Sequence, residues 1–365
     1  MRILLYYQNP YRTVFIESLL KGFVGKGHEV YLLTTCPAGP LHEVVAAFGV
    51  NVYTATTHND KKFSYINNAL FLIKFCKTHH IEVVYSHLQN ANLIALIASP
   101  FIKAKVFPCR HHMDDVRLGG NRNGKLIDKL VNALAKKLII VSAATRNYLI
   151  NIEKVKPEKI IAIPLGYDFD LYGKINPQEV QQIRDNCSCK LLLIIIGRMV
   201  VNKNHITAFK VLNALVNAGL DIKMIVMDQG PEQEKLLTFV AENKLSDRLF
   251  FTGFKNSIID YIAASDILIC PSISEASNQV VKEAGILGKP GIVIKGVGDF
   301  DEYIISGKNG FVVSTENTEQ EMVALLADIY NGKYNLGEIG DRQKQVVQNK
   351  FSIGPVVDQY LKLGQ

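Results

Sequence analysis

Residues 191–218, with the sequence LLLIIIGRMVVNKNHITAFKVLNALVNA, decide the fold class. The first six residues form a continuous apolar run of strand length, as is typical of a strand that is covered on both faces. A turn at Gly197 follows, and from Asn204 onward apolar residues recur at helical spacing until Gly219 ends the pattern. A buried strand followed by an amphipathic helix is the repeating unit of a parallel α/β sheet.

The same alternation of apolar strands and helices extends along the rest of the chain. The predicted strands are residues 3–7, 30–34, 50–54, 83–85, 106–107, 139–141 and 160–163 in the first half, and 191–196, 222–227, 249–252, 267–270 and 291–294 in the second. A polar stretch, residues 174–190, separates the two series and is the best candidate for a linker. We therefore predict two doubly wound, Rossmann-like domains that face a cleft, with ligands bound beyond the carboxyl ends of the strands.

Composition narrows the class of protein. The chain has 365 residues, 48% hydrophobic and 21% charged, which excludes a disordered chain and predicts about two domains. No apolar run approaches the roughly 20 residues of a membrane-spanning helix, and the N-terminal residues indicate a strand rather than a signal peptide. Six scattered cysteines complete no zinc-type set, so the sequence predicts a cytoplasmic protein without structural disulfides.

The net charge of +7 is unevenly distributed along the chain. Residues 1–170 carry 21 basic and 12 acidic side chains, whereas residues 171–365 carry 20 and 22. A basic first half is typical either of an anionic partner, such as a nucleic acid, a membrane surface or an acidic substrate, or of a merely solvated face. The interleaved aromatic and basic residues that base stacking requires are absent, so we expect no nucleic-acid partner.

Two pairs of charged residues follow predicted strands of the second half. Glu275 lies in the loop after strand 267–270, and Glu283 lies in a helical pattern whose first turn would direct free N–H groups at an anion. Arg198 and Lys203 follow strand 191–196. Arginine can bind two phosphate oxygens at once and lysine adds a compact charge, so this pair suits a diphosphate.

Taken in order, these motifs resemble a known family. The segments that carry the resemblance are Gly197-Arg198…Lys203, Pro271-Ser272…Glu275…Glu283-Ala284 and Gly288-Lys289-Pro290, with weaker similarities at 140–143, 163–168 and 307–311. They are similar to those of the retaining, nucleotide-sugar-dependent glycosyltransferases with two Rossmann-like domains (the GT-B fold), in particular glycosyltransferase family 4. The resemblance covers nearly the whole chain, and it is specific as a set rather than motif by motif.

The resemblance implies roles for the matching residues of the second half. Arg198 and Lys203 would hold the donor diphosphate and stabilise the leaving group. Glu283 would bind the donor ribose hydroxyls, and Glu275 would face the transferred sugar. Backbone N–H groups at the start of the helix would bind phosphate, and they belong to Asn278, Gln279 and Val280.

The resemblance also implies a domain boundary and the absence of a metal. The last helix would return to the first domain, so that residues 1–170 and 346–365 form the acceptor domain and residues 171–345 the donor domain. Positive side chains would neutralise the leaving nucleotide in place of a metal, so we expect no metal and no cofactor beyond the nucleotide-sugar co-substrate. Two D-x-D segments, 168–170 and 299–301, are weak evidence for a metal site, because about one such segment is expected by chance.

The segment Cys109-Arg110-His111-His112-Met113-Asp114-Asp115 follows a predicted strand of the first half. Adjacent histidines on an extended segment point in opposite directions, so they rarely bind one ion together. The family has a histidine near this place that faces the donor sugar. By resemblance this catalytic role falls to His111 first, with His112 as the alternative.

The chain departs from the family pattern in three loops. The loop after the first strand, residues 8–13, has no glycine; Ser277-Asn278 stands where Phe-Gly is usual; and Asp228-Gln229-Gly230-Pro231 replaces a Gly-x-Gly segment. The second departure predicts an altered pocket for the donor sugar.

The sequence thus predicts a metal-independent, retaining hexosyl- or hexosaminyltransferase that moves a sugar from a nucleotide-sugar donor to an acceptor hydroxyl in glycan or glycolipid synthesis. A glycan or a lipid-linked acceptor would bind the basic first domain, which could also contact the inner face of an anionic membrane. The lysines proposed for that contact are Lys21, Lys26, Lys61, Lys62, Lys103 and Lys105. A sugar-nucleotide epimerase of the same fold and a non-catalytic nucleotide-sugar-binding protein are the alternatives.

Overall fold

The computed structural model describes residues 1–55, 64–113, 122–255 and 257–365. Four residues that the sequence singled out lie outside these ranges: Lys61, Lys62, Asp114 and Asp115. The chain divides into two compact units. Unit 1 comprises Met1–Leu171 with Phe351–Gln365, and unit 2 comprises Tyr172–Lys350.

Unit 1 contains a seven-stranded parallel sheet of order β3-β2-β1-β4-β5-β6-β7. Its strands are β1 (Arg2–Tyr7), β2 (Glu29–Thr34), β3 (Asn51–Thr54), β4 (Val83–His87), β5 (Lys105–Arg110), β6 (Leu138–Ile140) and β7 (Ile160–Ala162). Its helices are α1 (Val14–Gly25), α2 (Pro40–Ala46), α3 (Ser64–Thr78), α4 (Gln89–Ala98), α5 (Arg122–Leu134), α6 (Ala143–Asn151) and, at the end of the chain, α14 (Ile353–Gly364).

The central strands of unit 1 are buried because helices cover them. α4 packs between α3 and α5, while α1 packs against α14. Gly22 of α1 lies so close to α14 that a Cβ there would be 2.5 Å from a methyl group of Val357. The Tyr85 hydroxyl of β4 donates a hydrogen bond to the carbonyl of Tyr360. The C-terminal helix is therefore part of the core of unit 1.

Unit 2 contains a six-stranded parallel sheet of order β10-β9-β8-β11-β12-β13. Its strands are β8 (Leu191–Ile196), β9 (Ile222–Met227), β10 (Leu249–Gly253), β11 (Ile267–Cys270), β12 (Gly291–Ile294) and β13 (Phe311–Val313). Its helices are α7 (Pro177–Asn186), α8 (His205–Asn217), α9 (Gln233–Glu242), α10 (Ile259–Ala264), α11 (Gln279–Ile286), α12 (Thr318–Tyr330) and α13 (Leu336–Phe351), the last residue of which begins the return to unit 1.

The prediction of two Rossmann-like parallel sheets is confirmed. Every predicted strand overlaps an observed one, since most of them are continuous apolar runs. The sequence missed β13, which has only three residues, and α2, which has only seven. The apolar run of β13 is bounded by Gly310 and Ser314, whereas the equally short β6 and β7 belong to apolar runs of four residues, 138–141 and 160–163. The helix α2 is too short to complete a detectable helical period.

Candidate functional site

The predicted motifs of unit 2 meet at one edge of its sheet. β8 and β11 are neighbouring parallel strands, so the loops that follow them lie side by side. The N–H group of Ile273 donates to the carbonyl of Asn202 across these loops, at 2.9 Å. Asn204 adopts a left-handed backbone, with φ 54°, which asparagine tolerates better than most residues. The two loops thus form one site.

Lys203 and Glu275 form an ion pair at this site. Lys203 Nζ lies 2.5 Å from Glu275 Oε1, and the two side chains are 24% and 10% exposed. Asn278 Nδ2 donates to the same carboxylate oxygen at 2.8 Å. The lysine stem passes over Gly197, where a Cβ would lie 3.7 Å from Lys203 Cδ. A cation and a carboxylate are therefore fixed together beside the residue that precedes Arg198.

Arg198 is exposed and lines a cavity of about 520 Å³. The other residues of its lining come from the segment after β9 and from α9, and they are Asp228, Gln229, Gly230, Pro231 and Gln233. A Cβ on Gly230 would lie 2.4 Å from the carbonyl oxygen of Met199, so only glycine lets this segment approach the backbone beside Arg198. Asp228 has φ 84°, and its Oδ1 accepts a hydrogen bond from the N–H group of Gln229. These contacts explain why glycine is kept at position 230, whereas nothing in the structure explains Asp228 in place of a glycine.

Glu283 is buried on α11, one turn beyond Gln279. Gln279 Nε2 donates to Glu283 Oε1 at 2.7 Å. Burial raises the pKa of Glu283 to about 7, although the hydrogen bond from Gln279 and the charge of Lys282 act in the opposite direction. A carboxyl group with that pKa changes charge near neutral pH.

We expect the free energy of unfolding to fall as pH rises from about 4.5 to about 7, compared with a Glu283→Gln variant. The pKa of Glu283 is about 7 in the fold against an ordinary value of 4.5, so the folded state binds more protons in this window and loses stability as pH rises. The shift corresponds to about 3 kcal/mol. Chemical denaturation of both proteins at several pH values measures this difference, and parallel pH profiles would contradict the expectation.

The first turn of α11 is capped by Asn278, whose Oδ1 accepts a hydrogen bond from the N–H group of Val281 at 3.1 Å. The N–H groups of Gln279 and Val280 belong to the same turn, where no intrahelical acceptor exists. They lie beside the loop that contains Glu275. The structure thus brings Lys203, Glu275 and the start of α11 together.

A buried ion pair that the sequence did not predict lies in the same unit. Lys282 Nζ is 2.7 Å from Asp299 Oδ2, and the side chains are 0% and 2% exposed. The feature of the sequence that could have indicated a buried charge is Lys282 itself, which stands among the apolar residues of the α11 pattern. Its partner stands 17 positions later, in the segment after β12, so no local pattern indicates the pairing.

In unit 1, His111 follows β5 and lies against His87 at the end of β4. His111 Nε2 and His87 Nδ1 are 2.6 Å apart, and the rings stack with centroids 4.9 Å apart. Phe15 packs on both rings. Burial and the neighbouring His112 lower the pKa of His111 to about 4, and burial also lowers the pKa of His87. At neutral pH both rings are therefore uncharged, and one donates to the other.

His112 has a different environment, because its Nε2 lies 2.9 Å from both carboxylate oxygens of Asp128. Burial raises the pKa of Asp128, but His112 and Arg110 outweigh it and the pKa lies below its usual value. Arg110 is 2% exposed and binds both oxygens of Glu153, at 2.6 and 2.7 Å. Its Nε also donates to the carbonyl of His112. His112 is therefore held in a buried charged network.

Within the described ranges, no group of three or more His, Cys, Asp or Glu side chains could hold a metal ion. The leading aspartates of the two D-x-D segments each pair with a lysine, Asp168 with Lys21 and Asp299 with Lys282. All six cysteines are free thiols. Among the residues that the structure describes, no helix combines the length and apolar character needed to cross a bilayer.

Two family models match the chain, and together they span most of it. The model described as Glycosyltransferase Family 4 matches residues 13–171, and the model described as Glycosyl transferases group 1 matches residues 179–350. Among curated proteins, the N-acetyl-alpha-D-glucosaminyl L-malate synthase of Bacillus anthracis is 23% identical over 94% of this chain and 90% of its own length. The UDP-Gal:alpha-D-GlcNAc-diphosphoundecaprenol alpha-1,3-galactosyltransferase of Escherichia coli is 22% identical over 80% of this chain and 77% of its own length.

Solved structures show the same fold. HepE of Anabaena in complex with UDP-glucose superposes with a TM-score of 0.82 at 18% identity, over 100% of this chain and 99% of that one. WaaG, a glycosyltransferase of lipopolysaccharide biosynthesis, gives a TM-score of 0.74 at 13% identity, over 100% and 99% of the two chains.

Proposed function

The chain belongs to the nucleotide-sugar-dependent glycosyltransferases of the GT-B fold, with motifs like those of family 4, and from that premise we propose that it is a retaining hexosyl- or hexosaminyltransferase that extends a lipid-linked glycan. The ion pair between Lys203 and Glu275, set beside the first turn of α11, carries this proposal. A cation suited to phosphate and a carboxylate suited to sugar hydroxyls are fixed side by side there.

The donor that we propose is a UDP-sugar. The support is that HepE was solved with UDP-glucose and that the Escherichia coli relative is named for UDP-galactose. Arg198 and Lys203 would bind the diphosphate, with the N–H groups of Gln279 and Val280 as further donors. Glu283 would accept hydrogen bonds from the ribose hydroxyls. The name of the same relative includes a diphosphoundecaprenol acceptor, which supports a lipid-linked acceptor here.

In the proposed reaction, the bond between the anomeric carbon and the diphosphate oxygen breaks while the acceptor oxygen bonds to the same face of the sugar. The acceptor proton passes to the leaving diphosphate. Lys203 and Arg198 stabilise the negative charge that develops on this group, which is the part a metal ion plays in other transferases. We therefore propose that the enzyme needs no metal.

For the predicted catalytic histidine we propose His111 rather than His112. His112 is bound through Nε2 to Asp128, and the pair belongs to the charged network of Arg110. His111 instead contacts a neutral ring, and its uncharged state at neutral pH suits hydrogen bonding to a sugar hydroxyl. An inactive His111→Ala variant beside an active His112→Ala variant would support this choice, and the reverse result would contradict it.

We also propose that unit 1 contacts an anionic membrane from the cytoplasmic side. Lys21 and Lys26, two of the lysines predicted for this contact, pair with Asp168 and Asp358. The described parts of α3, α4 and α5 hold a single carboxylate, Asp128, which is buried. The two outer helices, α3 and α5, present exposed apolar and basic side chains, namely Ile66, Leu70, Lys74, Lys77, Lys125, Leu126, Lys129, Leu130 and Leu134. Apolar residues with lysines and without carboxylates suit anionic lipid.

Replacing Leu126 and Leu130 by serine should lower binding to phosphatidylglycerol vesicles about tenfold, because both leucines would lose burial in the lipid interface. Co-sedimentation at low and high salt measures binding, and salt should weaken the wild type. Leu237→Ser, at an exposed leucine of unit 2, is the matched control. Unchanged binding of the double variant, or equal binding of the wild type to neutral vesicles, would contradict this contact.

Two measurements test the activity. Thermal-shift screening with nucleotide diphosphates and nucleotide sugars identifies the donor, because a ligand that binds only the folded state raises the melting temperature. The anomeric configuration of the glycoside formed from that donor then tests retention, and an inverted product would refute it. Conversion of the sugar without an acceptor would indicate an epimerase, and binding without turnover would indicate a non-catalytic binding protein.

A further inference from the structure

Lys282 is a fully buried lysine on α11, between the two glutamates of the proposed donor site. Its Nζ donates to Ser277 Oγ at 2.9 Å and to the carbonyl of Asn278 at 3.0 Å. Asp299 Oδ2 lies 2.7 Å from the same nitrogen. An ammonium group has three N–H donors, and here three acceptors surround it.

Asp299 joins this cluster from the segment after β12. Its Oδ2 also accepts a hydrogen bond from Ser277 Oγ, at 2.7 Å. The preceding residue, Gly298, has φ 58° and lies against Glu275, where an added Cβ would be 3.0 Å from the Cβ of Glu275. The cluster therefore ties together the loop after β11, the start of α11 and the segment after β12.

The cluster reaches the proposed donor site through Asn278. The carbonyl of this residue binds Lys282, and its side-chain Nδ2 binds Glu275 Oε1. Glu275 in turn pairs with Lys203. A continuous series of polar contacts runs from the exposed site into the core, in the order Lys203, Glu275, Asn278, Lys282 and Asp299.

The stability of the fold does not by itself explain why the charged side chains of Lys282 and Asp299 are buried here. Removing both charges from water has a large desolvation cost, and apolar residues of similar volume often stabilise a fold as well or better. In the part of the chain that the structure describes, Asp299 Oδ1 is buried and has no hydrogen-bond partner, which adds to that cost. The two charged groups instead form directional hydrogen bonds to one loop, residues 275–279.

The same cluster accounts for a departure from the family pattern. Ser277 and Asn278 stand where Phe-Gly is usual, and both take part: Ser277 Oγ bridges Lys282 and Asp299, while Asn278 bridges Lys282 and Glu275. A Phe-Gly pair would keep the backbone carbonyl that binds Lys282, but it has neither the hydroxyl that joins Lys282 to Asp299 nor the amide that donates to Glu275. The altered loop and the buried ion pair are therefore parts of one hydrogen-bonded cluster.

We propose that Lys282 and Asp299 are positioning residues for recognition of the donor sugar. Their ion pair fixes the 275–279 loop so that the Glu275 carboxylate meets the transferred sugar. Arg198 has no part in this cluster, so the ion pair acts on the sugar end of the donor rather than on the nucleotide end. This inference rests on the function proposed above for the same site.

The test compares binding of UDP with binding of the UDP-sugar that gives the largest thermal shift. A Lys282→Met/Asp299→Asn variant removes both charges at nearly constant volume, so neither is left buried and unpaired. We expect its affinity for the UDP-sugar to fall about tenfold, as the loss of one charge-assisted hydrogen bond would produce, with the affinity for UDP unchanged. Calorimetric titration measures both, and the donor KM should rise in the same proportion.

Ser277→Ala keeps both charges and removes only the bridging hydroxyl, so it tests the inference even if the double variant fails to fold. We expect a smaller loss in the same ratio of affinities. Lys210→Met/Glu319→Gln, which removes an exposed ion pair of the same unit, is the matched control and should change neither affinity.

The outcomes separate the inference from its premise. If the wild type binds both ligands and Ser277→Ala leaves their ratio of affinities unchanged, the cluster is merely structural and the inference is overturned. An equal loss of UDP and UDP-sugar affinity in the variants would overturn it too, since a distorted unit affects both ligands. A wild type that binds neither ligand overturns the proposed function and the inference with it.

Discussion

Lys203→Ala should lower kcat for glycosyl transfer by about 10²- to 10³-fold, which is the loss typical of removing one preorganised group that stabilises developing charge. In the structure the ammonium group is already fixed on Glu275 at 2.5 Å, beside the backbone that leads to Arg198. The charge therefore needs no reorganisation when the diphosphate leaves. Initial rates at saturating donor measure the effect, and the KM for the donor should change less than kcat.

The matched control is Lys210→Ala. Lys210 lies on α8, half exposed, and pairs with Glu319 at 3.1 Å; surface pairs of this kind contribute little. Wild-type rates are expected for it. Lys203→Arg is a second comparison, since it keeps the charge but cannot place a planar guanidinium in the space of the ammonium group. If Lys203→Ala retained more than a tenth of the wild-type kcat, Lys203 would not stabilise the leaving group.

The fold was predictable because most of the strands are continuous apolar runs. The segment 191–196 contains only Leu and Ile, and in a parallel sheet such runs are covered by helices on both faces. The placement of Arg198 and Glu275 after strands followed from the same topology, since loops after neighbouring parallel strands share an edge. Local pattern and topology were sufficient for these conclusions.

The contacts within the site were not predictable, because they join distant positions. Lys203 and Glu275 are 72 residues apart in the chain, and nothing near either residue specifies the other. His87 was absent from the predicted site because a single histidine at the end of an apolar strand resembles a core residue; only the fold brings it to His111. Such pairs depend on packing between elements, which residue patterns along one segment do not describe.

Replacing Arg110 by methionine should lower the free energy of unfolding of unit 1 by about 3–5 kcal/mol. The partner of Arg110 is also distant in the chain, since Glu153 lies 43 residues away. The guanidinium group is 2% exposed and bound to both oxygens of Glu153, with Asp128 at 3.4 Å. Removing it leaves Glu153 without its bidentate partner in a largely buried place. Chemical denaturation followed by circular dichroism measures the change, since the chain has no Trp to report by fluorescence.

A second substitution separates the loss of the charge from the loss of packing. In Arg110→Met/Glu153→Gln the uncompensated carboxylate is gone, so this double variant should regain part of the stability that Arg110→Met loses. Arg146→Met, at an exposed arginine of α6 in the same unit, should change the free energy of unfolding by no more than about 0.5 kcal/mol. If Arg110→Met behaved like Arg146→Met, the buried network would not stabilise unit 1.

Because Arg110 also donates to the carbonyl of His112, Arg110→Met releases the segment that contains His111. Loss of stability and loss of activity are therefore expected together in this variant.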